Sequence, residues 1–260
     1  MSAVALSVGD GIGHLRLCRP AKLNALDAAA VEELAALCRK IEHDRSVRVV
    51  ILSGEGRAFC AGGDIDAWSA ETPEAFARHW VRDGHAAFDA LARLLQPTIA
   101  VLDGHALGGG LELAACADFR IAEEHIRIGQ PETGLGIVPG WSGTQRAVRR
   151  FGARTVRRMA VMGEEFTAEE ALQLGIVDLV VGRGEAPEAA ESAARRVMAR
   201  APRATVLAKI MVNAAEGEER ERVIDALASQ IAAGSSEMAE GLRAFREKRP
   251  PDFSEPDDSG

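Results

Sequence analysis

Apolar and polar positions recur along the chain with two different periods, and the changes of period mark its elements. Residues 4–8 alternate as a strand does, Gly9-Asp10-Gly11 reads as a hairpin turn, and residues 12–17 alternate again before Pro20. Asp27 is placed to cap a helix whose apolar positions, Val31, Leu34, Leu37, Cys38 and Ile41, have helical spacing. Residues 47–52 are a compact β-branched run, read as a buried strand. Residues 73–95 return to helical periodicity, with Phe76, Trp80, Ala87, Phe88, Leu91 and Leu94 on one side, until Pro97 breaks it. Residues 98–102 predict another strand, 111–116 an apolar helix, and 119–122 and 126–128 two short strands. Helices are predicted over 143–151, 155–162 and 167–174, the last opened by a capping box, Thr167-Ala168-Glu169-Glu170. Residues 177–181 form the last predicted strand, 185–248 read as almost entirely helical, and the tail from Pro250 as loose.

Strand-turn-helix units therefore fill the first two thirds of the chain and helices the last third. No linker rich in Pro, Ser or charge divides them, and no fixed-period repeat is visible. The expected organisation is an α/β core over residues 1–185 with a helical C-terminal region and tail over 186–260.

Composition narrows the function classes. At 260 residues, about three quarters of the extended chain's surface can be buried, so no disulfide or metal is needed to hold a core. The formal net charge is −8, which argues against a general nucleic-acid or anionic-membrane binder but not against a local basic site for one anionic ligand. The 26 glycines are about 10% of the chain, an excess over the usual ~7% that needs a reason. Tyrosine is absent and cannot serve as acid, base or nucleophile. Cys18, Cys38, Cys60 and Cys116 form no C-x-x-C pair and have no zinc spacing, so they read as buried reduced thiols, with Cys60 in its Gly-rich turn the one to watch. Residues 1–16 lack the build of a signal peptide, and no apolar run approaches 18 residues. A soluble protein of a reducing, cytoplasmic compartment is expected.

Two glycine clusters follow two predicted buried strands, Cys60-Ala61-Gly62-Gly63-Asp64 and Gly108-Gly109-Gly110. Taken singly, each is explained by a tight turn; facing each other, they can offer one backbone N–H each to a single oxyanion. Neither is a phosphate loop, because no Gly-Lys-[Ser/Thr] occurs. Glu112 follows the triple glycine on an apolar helix, and Glu132 lies in a Gly- and Pro-rich loop. Alone, each reads as an ordinary helix-start or loop acid; together, near paired N–H donors, they suit acid/base work. His105 reads as a hydrogen-bonded loop histidine. Ser142 misses the nucleophile-elbow pattern, and no His/Cys/Asp/Glu cluster has metal-ligand spacing.

In this context the chain resembles the crotonase family, the enoyl-CoA hydratases and isomerases. The resemblance rests on Arg19-Pro20-Ala21-Lys22-Leu23-Asn24-Ala25-Leu26, Ala58-Phe59-Cys60-Ala61-Gly62-Gly63-Asp64-Ile65, residues 104–113, and Gln130-Pro131-Glu132 through Gly143-Thr144-Gln145-Arg146. Looser matches at 171–177 and 240–249 extend it over nearly the whole chain, in order. The resemblance implies a spiral of ββα units with a helical C-terminal trimerisation region, trimers often pairing into hexamers. It also implies an acyl-CoA substrate, with coenzyme A as part of that substrate and no further cofactor, metal, nucleic acid or membrane. By position, Gly63 and Gly109 become the oxyanion donors, and Glu112 and Glu132 the catalytic acids of a hydratase of fatty-acid type. Ala61, Asp64, Ile65, Gly140 and Trp141 would shape the acyl site. Lys22, with Phe245 and Lys248 of a neighbouring subunit, would lie by the nucleotide end of coenzyme A. Trp141 and Ser142 depart from the small residues common in straightforward hydratases, so a narrowed or reshaped acyl pocket is expected. A 3-enoyl-CoA isomerase using Glu132 alone is the alternative reaction, and an idle relative that binds RNA or a protein partner is the third reading.

Overall fold

The computed structural model describes residues 2–69, 71–233 and 235–254. Strands β1 (Val4–Gly9) and β2 (Ile12–Leu17) form the expected hairpin, closed by Asp10 and Gly11. Both turn residues have positive φ (51° and 82°), the combination that matches the twist of a two-residue hairpin. The strands β3 (Val49–Gly54), β4 (Thr98–Leu102), β6 (Phe119–Glu123) and β9 (Leu179–Val181) extend the sheet in the order β1-β2-β3-β4-β6-β9, with every pairing after the hairpin parallel. A smaller sheet joins β5 (Ala106–Leu107), β7 (Arg127–Gly129) and β8 (Glu165–Thr167). The chain thus lays one strand in the large sheet, the next in the small one, and then a helix. β4, β5 and the helix Gly109–Ala114 make one such ββα-like unit. β3 and the single bridge of Cys60 to Ala106 mimic it one turn earlier.

Helix Ala28–His43 begins where Asp27 accepts the Ala30 N–H at 2.9 Å, and it buries Val31, Leu34, Cys38 and Ile41 on one face of the large sheet. On the other face, helix Ala186–Met198 packs Ala186, Ala190, Ala193 and Ala194 against Ile12, Val49, Ile51, Ile99, Val101 and Ile121. Small residues on the helix and branched ones on the strands let the two approach closely. The capping box of Thr167 and Glu170 is present. The last third holds helices Ala186–Met198, Pro202–Ala215, Arg220–Ala233 and Ser236–Glu247.

Two short strands escape the periodicity: β5 has two residues, and β8 lies just before and at the start of the helix predicted from Thr167. Such ladders are too short to show a period of two and owe their existence to their pairing partners. The segment predicted as one helix over 73–95 is α-helical at Pro73–Ala75 and Arg82–Ala92 but π-helical over Phe76–Val81. Residues Arg157–Val161 are π-helical as well.

The chain divides into two compact units, Met1–Lys209 and Ile210–Gly260. Within the second, Ser235 caps helix Ser236–Glu247, and Glu240 is bound by Arg249, the Asp252 N–H and Arg243, which hold its carboxyl well below the usual range. Residues 250–254 have no regular structure, and 255–260, the rest of the predicted loose tail, lie outside the described residues. Among the described residues no helix is long and apolar enough to cross a membrane.

Candidate active site

Because β3 and β4 are parallel neighbours, the loops that follow them leave the sheet side by side. Asn24 moulds the first loop from below. Its buried amide donates to the carbonyls of Glu55 (2.9 Å) and Ala58 (2.7 Å) and accepts the Arg19 N–H (2.9 Å). Backbone bonds from Ala61 to Leu23, from Leu26 to Gly62 and from Asp64 to Leu26 complete the clamp. The second loop touches the first mainly through backbone. A Cβ on Gly110 would stand 2.0 Å from the Cys60 carbonyl oxygen, and one on Gly109 would stand 3.2 Å from the Gly62 Cα. Only glycine fits at 110, whereas at 109 a side chain would push the neighbouring backbone aside by a few tenths of an ångström. Among the described residues, neither the Gly63 nor the Gly109 N–H donates to a protein acceptor.

Glu112 sits on the short helix Gly109–Ala114 and is 4% exposed. Its Oε1 accepts two backbone N–H groups, from Trp141 at 2.7 Å and Gly143 at 2.6 Å. Burial, seconded by the nearby Glu132 charge, pushes its carboxyl up to about 7 against the pull of those two N–H groups and of Arg146. Glu132 sits in the 3-10 turn Pro131–Leu135 and is 7% exposed, yet neither carboxyl oxygen has a hydrogen-bond partner. Burial raises its affinity for a proton too.

Both carboxyls line a cavity of about 520 Å³, together with Ala61, Gly63, Ile65, Gly109, Gly140 and Trp141. All three tryptophans of the chain, Trp68, Trp80 and Trp141, lie on its wall beside Phe76. Trp141 is buried. Its ring packs against Trp80 (centroids 4.9 Å apart) and Phe88 (5.0 Å), and its Nε1 donates to the Trp80 carbonyl at 3.1 Å. Ser142, with φ of 74°, pairs its hydroxyl with His85 Nδ1 at 3.2 Å.

Other candidates fall elsewhere. Asp64 is buried outside the cavity wall, paired with Arg19 at 3.0 Å and Lys22 at 3.7 Å, where it anchors the first loop. Lys22 also reaches Asp66 at 2.7 Å, and that hydrogen bond, with the Asp64 charge, raises its pKa. Phe245 and Lys248 belong to the second unit, where both are exposed. Cys60 is fully buried, its thiol pushed up to about 12, which removes it as a nucleophile. Cys18 is half-buried, and Cys38 and Cys116 are buried. His105 accepts the Arg127 N–H at 3.0 Å. No group of three or more His, Cys, Asp or Glu is arranged around a metal position among the described residues.

Sequence reasoning assigned no site role to Asn24, Gln130, Trp68, Phe76, Trp80, His85 or Arg146. Helical spacing groups Phe76 and Trp80 with core residues; Trp80 does pack against the core, and both also line the cavity. Gln130 Nε2 donates to the Gly143 carbonyl at 2.5 Å and so holds the segment that presents the Gly143 N–H to Glu112. Asn24 had a visible signal, since it lies within the first quoted motif.

Comparison with known proteins gives the family of the chain. Residues 7–256 match the family model described as enoyl-CoA hydratase/isomerase. A probable enoyl-CoA hydratase of Bacillus subtilis is 34% identical over 97% of this chain and 99% of its own length. A crotonyl-CoA hydratase of Syntrophomonas wolfei is 33% identical over 96% and 97%. The crystal structure of an enoyl-CoA hydratase from Bacillus anthracis superposes with a TM-score of 0.79 at 32% identity, over 96% of this chain and 98% of that one. The chain belongs to the crotonase family, the enoyl-CoA hydratases and isomerases.

Proposed function

We propose that this enzyme hydrates a 2-enoyl-CoA to a 3-hydroxyacyl-CoA, or runs the reverse dehydration. The observation that carries the proposal is a pair of buried carboxyls, differently hydrogen-bonded, beside two backbone N–H groups with no acceptor. The thioester oxygen binds between the Gly63 and Gly109 N–H groups. Two N–H groups on Oε1 pull Glu112 toward its charged form against the larger effect of its burial, whereas the oxygens of Glu132 have no such partners. Glu112 takes a proton from water as the water oxygen bonds to C3. The C2–C3 π electrons move toward the thioester, and negative charge builds on its oxygen. The two N–H groups hold that enolate more strongly than the ground state. Glu132 gives its proton to C2; the proton gained by Glu112 then leaves to solvent while Glu132 takes one up from solvent, restoring both groups.

The cavity has the size of a small-ligand site. Lys22 supplies positive charge beside the first loop, and Phe245 and Lys248 of a neighbouring subunit would complete the nucleotide end in a trimer or a pair of trimers. Their exposure in the single chain supports this role. The net charge of −8 and two acids buried in one cavity speak against an RNA-binding relative.

The test is the loss of conjugated-thioester absorbance from crotonyl-CoA and longer 2-enoyl-CoAs. No change across the series refutes hydration. Glu112→Gln should lower hydration by about 10² to 10⁴; if it instead leaves the conversion of a 3-enoyl-CoA intact, the reaction is double-bond isomerisation by Glu132.

A further inference from the structure

A second cavity, of about 500 Å³, opens between helix Ala28–His43 and the helical segment 73–92. Its wall is built of small side chains, Ala28, Ala35, Ala67, Ala75 and Ala86, with Val31. One large residue lines both this cavity and the active-site cavity: Trp80. The edge of its six-membered ring, at Cζ2, comes within 2.9 Å of where a Cβ on Gly63 would stand, so the indole borders the first free N–H. Two further observations fix the ring there. Trp80 rides on the π-helical turn Phe76–Val81, a local widening of the kind found at functional sites. Its carbonyl is held by Trp141 Nε1, and its ring packs on the Trp141 ring.

We propose that the Trp80 indole closes the acyl end of the active site and restricts the enzyme to short acyl chains, and that the alanine-lined cavity behind it takes the distal methylenes of a longer chain once the indole is removed. The assignment rests on the hydratase reading, because it places a thioester at Gly63 and Gly109. An acyl chain leaving that point meets the indole within a few carbons. The space beyond it is lined by alanines and Val31, with the exposed polar residues Glu32, Arg39, Glu71, His79 and Asp83 around them.

The test is the ratio of kcat/KM for 2-decenoyl-CoA to that for crotonyl-CoA, in the wild type, Trp80→Ala and Trp80→Ala/Ala35→Phe. The wild type is expected to favour crotonyl-CoA. Each methylene newly taken from water is worth about fourfold, so three of them raise the ratio about 60-fold in Trp80→Ala. Phenylalanine at position 35 refills the second cavity and should return the ratio toward the wild-type value, which general loosening of the site would not do. An unchanged ratio in folded Trp80→Ala overturns the proposal, as does a wild type that accepts both substrates equally. Should Trp80→Ala fail to fold, Trp80→Leu keeps an apolar filler and should move the ratio the same way by about fourfold, and no movement there is equally fatal. If the wild type hydrates neither substrate, the hydratase reading falls. The partition is then read from calorimetric affinities for decanoyl-CoA and butyryl-CoA on the same proteins, with the same ratios expected and a flat ratio overturning it.

Discussion

Replacing Glu112 by glutamine should make the protein more stable at high pH while disabling it. The folded chain raises this carboxyl from 4.5 to about 7, mainly because it is buried. A group whose folded-state pKa is raised holds its proton more tightly in the folded than in the unfolded chain. Between pH 4.5 and 7 the unfolded chain releases the proton first, so stability falls as pH rises, and above about 7 the full cost is present. At about 1.4 kcal/mol per pH unit, the step from 4.5 to about 7 costs about 3 kcal/mol. Glutamine does not ionise, and its amide oxygen can accept the same N–H groups from Trp141 and Gly143. Urea unfolding of Glu112→Gln and the parent, at one protein concentration, should show little difference at pH 4.5 and a gain of about 3 kcal/mol at pH 8.5. Hydration should fall by a factor of about 10² to 10⁴, the usual worth of a general base. A stability difference that does not change with pH would refute the claim that Glu112 is held at the expense of the fold.

Three further expectations follow from the same geometry. kcat/KM for hydration should fall below about pH 7, approaching tenfold per unit, as the pair carrying Glu112 takes up a proton; a profile flat from pH 8 to pH 5.5 contradicts Glu112 as the base. Gly109→Ala puts a methyl 3.2 Å from the Gly62 Cα and 3.3 Å from the Trp141 ring, so the free N–H must move, and kcat should drop about a hundredfold with little change in melting temperature. Asn24→Ala strips a buried side chain of its three hydrogen bonds around the first loop, and urea unfolding should show a loss of about 3 kcal/mol; a loss under about 1 kcal/mol would mean that the backbone bonds hold the loop unaided.

What could be read from residues alone was whatever carries a period or a special backbone requirement. The face of helix Ala28–His43, the two-residue hairpin and the capping box at Thr167 appear where local pattern places them. The glycine clusters were legible as close-approach sites, and Glu112 and Glu132 as acids beside them. The pairing of β5 with β7 and of β7 with β8 was not, because strands of two or three residues exist only through partners far away in sequence. Nor was the part Phe76 and Trp80 play in the cavity wall. An α-helical period carried through residues 76–81 groups them with the core, against which Trp80 does pack, but the structure is π-helical there and both residues also line the cavity. Nothing local distinguishes Glu112 from Glu132 electrostatically. Their difference arises because residues 141 and 143 come back to supply N–H groups to one of them and not to the other.

That return segment ties reactivity to specificity. Gly143 cannot carry a side chain, because a Cβ would stand 2.5 Å from Glu112 Oε1. Two residues earlier, Trp141 gives its backbone N–H to the same oxygen and its indole N–H to the carbonyl of Trp80. One residue thus holds the proposed base with its backbone and the proposed acyl stop with its side chain. Gly84 makes room for it, since a Cβ there would stand 2.0 Å from the Trp141 Nε1. Changes that move the Trp141 ring alone should alter chain-length selection, whereas changes that move its backbone should alter the charge state of Glu112. On the proposed mechanism, the bulky residue at this position would therefore do more than narrow the pocket: it would couple the wall of the proposed acyl site to the proposed base.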